Sequence, residues 1–67
     1  MNNLKKYRKE CGLTQIELAV KVNVSSDYIS MIEREVRSPG LKLARLISKN
    51  VGGTLDEVFP SDKLDSK

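Results

Sequence analysis

The side chains best suited to chemistry in this sequence are the short polar ones of residues 25–34, SSDYISMIER. If the segment is helical, Ile29 and Ile32 share one face, and five other side chains lie away from that face. Those side chains are Ser26, Asp27, Tyr28, Ser30 and Met31. All except Met31 carry groups that form hydrogen bonds. This arrangement favours recognition of a polar surface by a helix rather than the making and breaking of bonds.

The composition excludes most catalytic and metal-dependent functions. The chain has no histidine and one cysteine, Cys11. It therefore lacks the usual tetrahedral zinc set, an intramolecular disulfide and a nucleophile beside a plausible base. We expect no enzymatic activity, no cofactor and no small-molecule ligand. No stretch approaches the roughly 20 apolar residues that cross a bilayer, so we expect a cytoplasmic protein without membrane contact.

Helix-start and helix-stop signals divide the first half of the chain into three segments. Gly12 ends the first, and Thr14 with Glu17 forms the capping box that starts the second. Asn23 tolerates positive φ and ends the second helix, while Ser25 is the N-cap candidate of the third. About three residues then join helices two and three, which favours a steep crossing rather than a long antiparallel hairpin.

Two further helices are predicted after a break at residues 38–40, Ser-Pro-Gly. Helix four carries apolar residues on one broad face, namely Leu41, Ala44, Ile47 and Val51, widened by Leu43 and Leu46. A short last helix follows Thr54 and ends before Pro60. Because the apolar residues follow the helical period, the predicted class is all-α, with one compact five-helix domain over residues 1–60. Residues 61–67 form a polar tail that we expect to be frayed.

The charge distribution is compatible with binding to a polyanion. The formal net charge is +3, and basic residues cluster near the start and again in the middle of the chain. A solvated helix face also explains either cluster, and it is the favoured interpretation when the charges are considered alone. The pair of helices two and three is more specific, because a helix that projects from such a pair fits the DNA major groove, which is about 12 Å wide.

Residues 13–33, LTQIELAVKVNVSSDYISMIE, resemble the core motif of the Cro/C1-type (XRE-like) helix-turn-helix family of phage repressors and bacterial transcriptional regulators. The resemblance extends upstream to Arg8 and downstream through Arg37 and Pro39 to LDEVF at residues 55–59, so only the tail is unmatched. It implies a lambda-repressor-like fold in which helices two and three form the helix-turn-helix. Double-stranded DNA is the implied partner, and transcriptional regulation the implied function.

The resemblance also implies roles for individual residues, with a recognition helix at about residues 25–34. The implied base contacts are Ser26, Asp27, Ser30 and Met31. The implied phosphate contacts are Gln15, Ser25, Arg34 and Arg37. We also expect Lys42 to contact phosphate. Tyr28 is expected to be a packing or a phosphate-contact residue, because its ring can cover the junction with helix two while its hydroxyl stays in water. Arg8 and Glu33 occupy positions where the family often has a partly buried ion pair, which we interpret as structural.

Three residues depart from the family pattern. Asn23 and Glu35 stand where glycine is usual, and Gly40 stands where serine often caps helix four. Asn23 can adopt the required conformation. With Glu35, the loop toward Pro39 is expected to have a different shape. Gly40 removes one side-chain acceptor for the first turn of helix four.

A single module makes a small interface with DNA, so we expect a homodimer on a palindromic operator, acting as a repressor. The dimer candidates on helices four and five are Leu43, Leu46, Leu55, Val58 and Phe59, some of which must instead fill the core. The alternative function is a protein-interaction module of the same fold, antitoxin-like or a co-activator component. Ile16 and Val20 lie on an unusual apolar face of helix two and either pack on helix one or form a small partner surface.

Overall fold

A computed structural model describes residues 2–60 and confirms the predicted all-α class. The five helices are α1 Leu4–Glu10, α2 Gln15–Val22, α3 Ser26–Glu33, α4 Leu41–Asn50 and α5 Leu55–Val58. No strand occurs within residues 2–60. The predicted tail at 61–67 lies outside the described residues.

Side-chain caps set the starts of α2 and α3 as predicted. Thr14 Oγ1 accepts from the Glu17 backbone N–H at 3.0 Å, and Glu17 Oε1 accepts from the Thr14 backbone N–H at 2.9 Å. Ser25 Oγ accepts from the Tyr28 backbone N–H at 3.1 Å. These bonds satisfy amides that a helix cannot pair internally, so the start of the recognition helix is encoded locally.

The end of α3 shows how Glu35 is accommodated at the position where the family usually has glycine. Glu35 adopts the left-handed conformation itself, with φ of 64°. Its N–H donates to the Ile32 carbonyl at 3.0 Å, and the Val36 N–H donates to the Met31 carbonyl at 2.9 Å. These two bonds are the usual glycine-type ending of a helix. The conformation costs about 1–2 kcal/mol for a residue with a Cβ, and the carboxylate of Glu35 accepts from the Asn2 backbone N–H at 2.7 Å.

The core lies among all five helices and is aliphatic. Its fully or almost fully buried side chains are Leu4, Leu18, Ala19, Val22, Ile29, Ile32, Ala44, Ile47, Val51 and Val58. Half-buried Tyr7, Leu13, Val24, Tyr28, Leu43 and Phe59 pack against it. Both α2 and α3 contribute to this core, so the burial of their apolar faces fixes how α3 is presented.

The predicted face of α4 is wrong at its first residue. Leu41 is 58% exposed, whereas Ala44, Ile47 and Ser48 are buried. Leu41 lies about 60° around the helix from Ala44, beyond the strip that packs against α2 and α5. Ser48 takes a place in the core because its hydroxyl donates to the Ala44 carbonyl at 2.8 Å and is thereby satisfied.

The start of α4 offers a stabilising substitution. Gly40 is the N-cap and makes no side-chain cap bond; its φ of −66° and ψ of 167° suit any residue. A Cβ there would meet nothing within 4 Å. We expect Gly40→Ser to raise the free energy of unfolding by about 0.5–1 kcal/mol, because it adds a cap acceptor and restricts the unfolded chain. Urea denaturation measures this, with Gly40→Ala as the control that restricts the chain without capping; equal values for the two variants would contradict the capping contribution.

Candidate nucleic-acid interface

The helix-turn-helix is formed by α2, α3 and the turn at residues 23–25. Asn23 adopts the left-handed conformation, with φ of 61°, and the Val24 N–H donates to the Ala19 carbonyl at 3.0 Å. Of all helix pairs, α2 and α3 share the most extensive contact. A tight turn and a shared core therefore hold the two helices as one rigid unit, which is what presentation of a recognition helix requires.

The outward side of α3 gathers the side chains that were predicted to contact bases. At 3.6 residues per turn, these residues and Arg34 span an arc of about 140°, opposite Ile29 and Ile32. Asp27 is exposed, and the other three predicted base contacts, Ser26, Ser30 and Met31, are half-buried. The residues that were predicted to contact bases therefore lie next to one another on one side of α3.

Two of these side chains are linked. Arg34 Nε donates to Ser30 Oγ at 3.4 Å, one turn earlier on the same helix. Asp27, by contrast, has no hydrogen bond or ion pair within residues 2–60. It lies in the first turn of α3, where the helix dipole stabilises a carboxylate. Asp27 is thus an available acceptor, and it is held in place only by the backbone.

The predicted phosphate contacts occupy different environments. Arg34, Arg37 and Lys42 are exposed at the end of α3, in the following loop and in the first turn of α4. Ser25 is exposed and caps α3. Tyr28 is half-buried and packs against the core on the side of α3 away from the polar arc. The role that the structure shows for Tyr28 is therefore packing against the core.

Gln15 is connected to the ion pair of Arg8 and Glu33. Arg8 Nε donates to Glu33 Oε2 at 2.5 Å and Nη2 donates to Oε1 at 3.2 Å, with side chains only 8% and 5% exposed. Gln15 Nε2 donates to the same Oε1 at 3.0 Å. Arg8 Nη1 also donates to the Leu13 carbonyl at 2.8 Å. One carboxylate therefore joins α1, α2 and α3 at the edge of the candidate interface.

Sequence reasoning missed the hydrogen bond between Gln15 and Glu33. These residues are 18 positions apart, and no local spacing brings them together. The resemblance pointed to each residue separately, one for phosphate and one for the ion pair. Only the packing of α2 against α3 shows that they share an oxygen atom.

The apolar candidates for dimerisation separate into core and surface. Val58 is fully buried, so it belongs to the core and cannot serve a partner. Leu43 and Phe59 are half-buried against the core, and Leu55 is half-buried. Leu46 is 42% exposed. Leu46 is thus the most accessible member of the predicted set.

The apolar pair on α2 lies at the surface. Ile16 is 66% exposed and Val20 is 75% exposed. Packing of these two side chains on α1, one of the two alternatives, is therefore wrong. The pair remains a small apolar surface on the helix that precedes the recognition helix.

The fold and the polar arc on α3 define a helix-turn-helix protein, and comparison with known proteins agrees. A family model described as helix-turn-helix matches residues 4–58, so the chain belongs to that family. Its members are DNA-binding regulators rather than enzymes. No helix within residues 2–60 has the length and apolar character needed to cross a bilayer.

Relatives of this chain include regulators from archaea, bacteria and a phage. An uncharacterized HTH-type transcriptional regulator of Methanocaldococcus jannaschii is 43% identical over 58 residues, covering 87% of this chain and 88% of the relative. The immunity repressor protein of Bacillus phage phi105 is 39% identical over 61 residues, 91% of this chain and 42% of the repressor. The HTH-type transcriptional regulator SinR of Bacillus subtilis is 35% identical over 72 aligned positions, 96% of this chain and 65% of SinR.

Proposed function

We propose that this protein is a sequence-specific transcriptional repressor that binds a palindromic DNA operator as a homodimer, with α3 in the major groove. The observation that carries the proposal is the outward arc of α3, with Asp27 available as an acceptor and the inward face fixed by α2. A rigid helix with short polar side chains can approach base edges closely. The similarity to a phage immunity repressor supports repression rather than activation.

Asp27 gives the most specific expectation about the base sequence of the operator. A carboxylate near DNA is repelled by phosphates unless it accepts from a base, and cytosine N4 is the donor that it matches in the major groove. The exposed position of Asp27 in the first turn of α3 supports this role. We therefore expect a cytosine opposite Asp27 in each half-site, with Ser26, Ser30 and Met31 contacting neighbouring bases.

Phosphate contacts would hold the helix in register. Gln15 and Ser25 lie at the starts of α2 and α3, and the first backbone amides of a helix can bind a phosphate. Arg34, Arg37 and Lys42 are exposed cations beyond the end of α3. These groups carry no base preference, so they set affinity and its dependence on salt.

Substitutions should separate these two kinds of contact. We expect Asp27→Asn to change the preferred base at one operator position, from cytosine toward adenine, which an amide pairs with well. We expect Arg37→Ala to weaken binding to all duplexes alike and to reduce the salt slope by about one. Selection from a random duplex pool reads the first effect, and gel shifts at several salt concentrations read the second. A changed base preference in Arg37→Ala with none in Asp27→Asn would refute the assignment.

The homodimer is supported by the size of the interface that one module can make. A single module buries about 600–1,000 Å² on DNA, whereas two half-sites about 34 Å apart double that area. The surface that we propose for dimerisation centres on Leu46, which is 42% exposed, and includes the half-buried Leu43, Leu55 and Phe59. The exposed cations Lys42, Arg45 and Lys49 lie on the same helix. Like charges disfavour a dimer in which these cations face each other, so the contact is expected toward α5.

Sedimentation tests the dimer directly. At tens of micromolar we expect the wild-type protein to sediment as a dimer and Leu46→Lys to sediment as a monomer, because a cation in an apolar contact stays desolvated. Val20→Lys is the matched control, since Val20 is 75% exposed on a different helix. A monomeric wild-type protein, or equal dimerisation by Leu46→Lys, would contradict this proposal.

A second candidate function is a protein-interaction module that uses the same fold without specific DNA binding. The exposed pair Ile16 and Val20 favours it, because two apolar side chains one helical turn apart form a small exposed apolar patch, and such patches can mark a protein contact. A gel shift with random duplex at low salt separates the candidates. Absence of binding, or binding without a salt slope, favours the interaction module.

A further inference from the structure

The carboxylate of Glu33 accepts a third hydrogen bond beyond the two of the ion pair with Arg8. Arg8 engages both of its oxygens, and Gln15 Nε2 donates to Oε1 at 3.0 Å. Gln15 is half-buried at the first position of α2. Its second amide N–H has no acceptor within residues 2–60. One N–H of the Gln15 side-chain amide is therefore bonded to Glu33, and the other is available to a further acceptor.

We propose that Glu33 is a positioning residue for DNA binding, which holds the Gln15 amide ready to donate its second N–H to a phosphate. The inference rests on the proposed function. A free glutamine side chain samples many rotamers and loses that freedom on binding. The bond to Glu33 fixes the amide before DNA arrives, so the cost of ordering is met during folding.

The charge of Glu33 does not oppose this role, because Arg8 neutralises it. An unpaired carboxylate close to a phosphate would repel it. Here the guanidinium binds the carboxylate at 2.5 Å and 3.2 Å, and both side chains are more than nine-tenths buried. The pair thus presents a fixed hydrogen-bond acceptor to Gln15 with little net charge. A structural ion pair alone explains the contact of α1 with α3, but it gives no reason for the Gln15 amide to share Oε1.

A double-mutant cycle distinguishes positioning from a purely structural role. Arg8→Met combined with Glu33→Met removes the charges together and leaves apolar side chains of similar length, which buried pairs often tolerate. Binding is measured on a random-sequence duplex of about two helical turns at low salt, because a phosphate contact is independent of sequence. Gln15→Ala is made in the wild-type and in the doubly substituted background. Circular dichroism checks that each variant is folded.

We expect Gln15→Ala to weaken wild-type binding by about tenfold, the usual effect of a hydrogen bond to a charged group. The variant that combines Arg8→Met with Glu33→Met should bind the duplex about tenfold more weakly than the wild type. Adding Gln15→Ala to that variant should change its affinity less than about twofold. Wild-type affinity in the double variant, with the full effect of Gln15→Ala retained, would overturn the positioning role. A wild-type protein that binds but is unaffected by Gln15→Ala would also overturn it, while leaving DNA binding intact. Absence of any salt-dependent binding would instead overturn the proposed function.

A measurement on the free wild-type protein tests whether Glu33 holds the Gln15 amide in place. It applies even if the variant that combines Arg8→Met with Glu33→Met does not fold. Side-chain amide order parameters from ¹⁵N relaxation report motion on the ps–ns timescale. We expect the Gln15 amide to be nearly as ordered as the backbone. The control is the amide of Asn23, which is exposed and has no hydrogen-bond partner within residues 2–60. Equal mobility of the two side chains would overturn the inference.

Discussion

Replacement of Glu33 by alanine is expected to lower the free energy of unfolding by about 3–5 kcal/mol. The substitution leaves the Arg8 guanidinium, only 8% exposed, without its carboxylate. It also removes the acceptor of Gln15. A core of this size supplies only about 3–5 kcal/mol in total, so a large fraction of the variant should be unfolded at 25 °C. Urea denaturation followed by circular dichroism measures the change.

The matched control is the combined variant Arg8→Met and Glu33→Met. Because it leaves no buried charge unpaired, it should remain folded and lose far less stability than Glu33→Ala. Equal losses in the two variants would show that packing, rather than the orphaned charge, accounts for the effect. The distinction matters for function, since Glu33→Ala abolishes DNA binding through unfolding and says nothing by itself about contact with DNA.

Truncation of Leu18 is expected to have the next largest effect. Leu18 is fully buried on α2. Leu18→Ala removes apolar surface and leaves a cavity, for which about 2–5 kcal/mol is usual. This loss is comparable to the whole stability of a domain of this length. Thermal and urea unfolding curves should both indicate that a large fraction of the Leu18→Ala variant is already unfolded at 25 °C in the absence of urea.

Val20→Ala is the control on the same helix. Val20 is 75% exposed, so its truncation should change the free energy of unfolding by less than about 0.5 kcal/mol. A loss of more than about 1.5 kcal/mol in Val20→Ala would contradict the exposed position of Val20 on α2 and would indicate that a partner covers this side chain. Such a result would indicate that the surface formed by Ile16 and Val20 is an interface.

Local signals explain which parts of the fold could be predicted. The capping box of Thr14 and Glu17, the cap at Ser25 and the positive φ of Asn23 depend on residues within three or four positions, and the structure has all of them. The helix ending at Glu35 could not be predicted from propensity, because the hydrogen bonds to the Ile32 and Met31 carbonyls override the preference of the side chain. The exposure of Leu41 depends on where α4 meets its neighbours. Periodicity alone cannot supply that placement.

In the candidate site too, features within one helix could be predicted from the sequence, whereas contacts between helices could not. The polar arc of α3 follows from the helical period, so Ser26, Asp27 and Ser30 could be grouped from the sequence. The bond between Gln15 and Glu33 could not, because it depends on the relative placement of two helices. The same limit applies to Val58, whose burial reflects the docking of α5 on the core.

The most direct test of the central claim is selection of bound sequences from a random duplex pool, followed by a gel shift with the selected duplex. We predict a palindromic consensus whose half-sites each contain a cytosine that Asp27→Asn no longer requires. We also predict that the selected duplex binds at least about a thousandfold more tightly than a scrambled one at physiological salt. Recovery of no consensus, with equal binding of selected and scrambled duplexes, would contradict the claim that α3 reads DNA sequence.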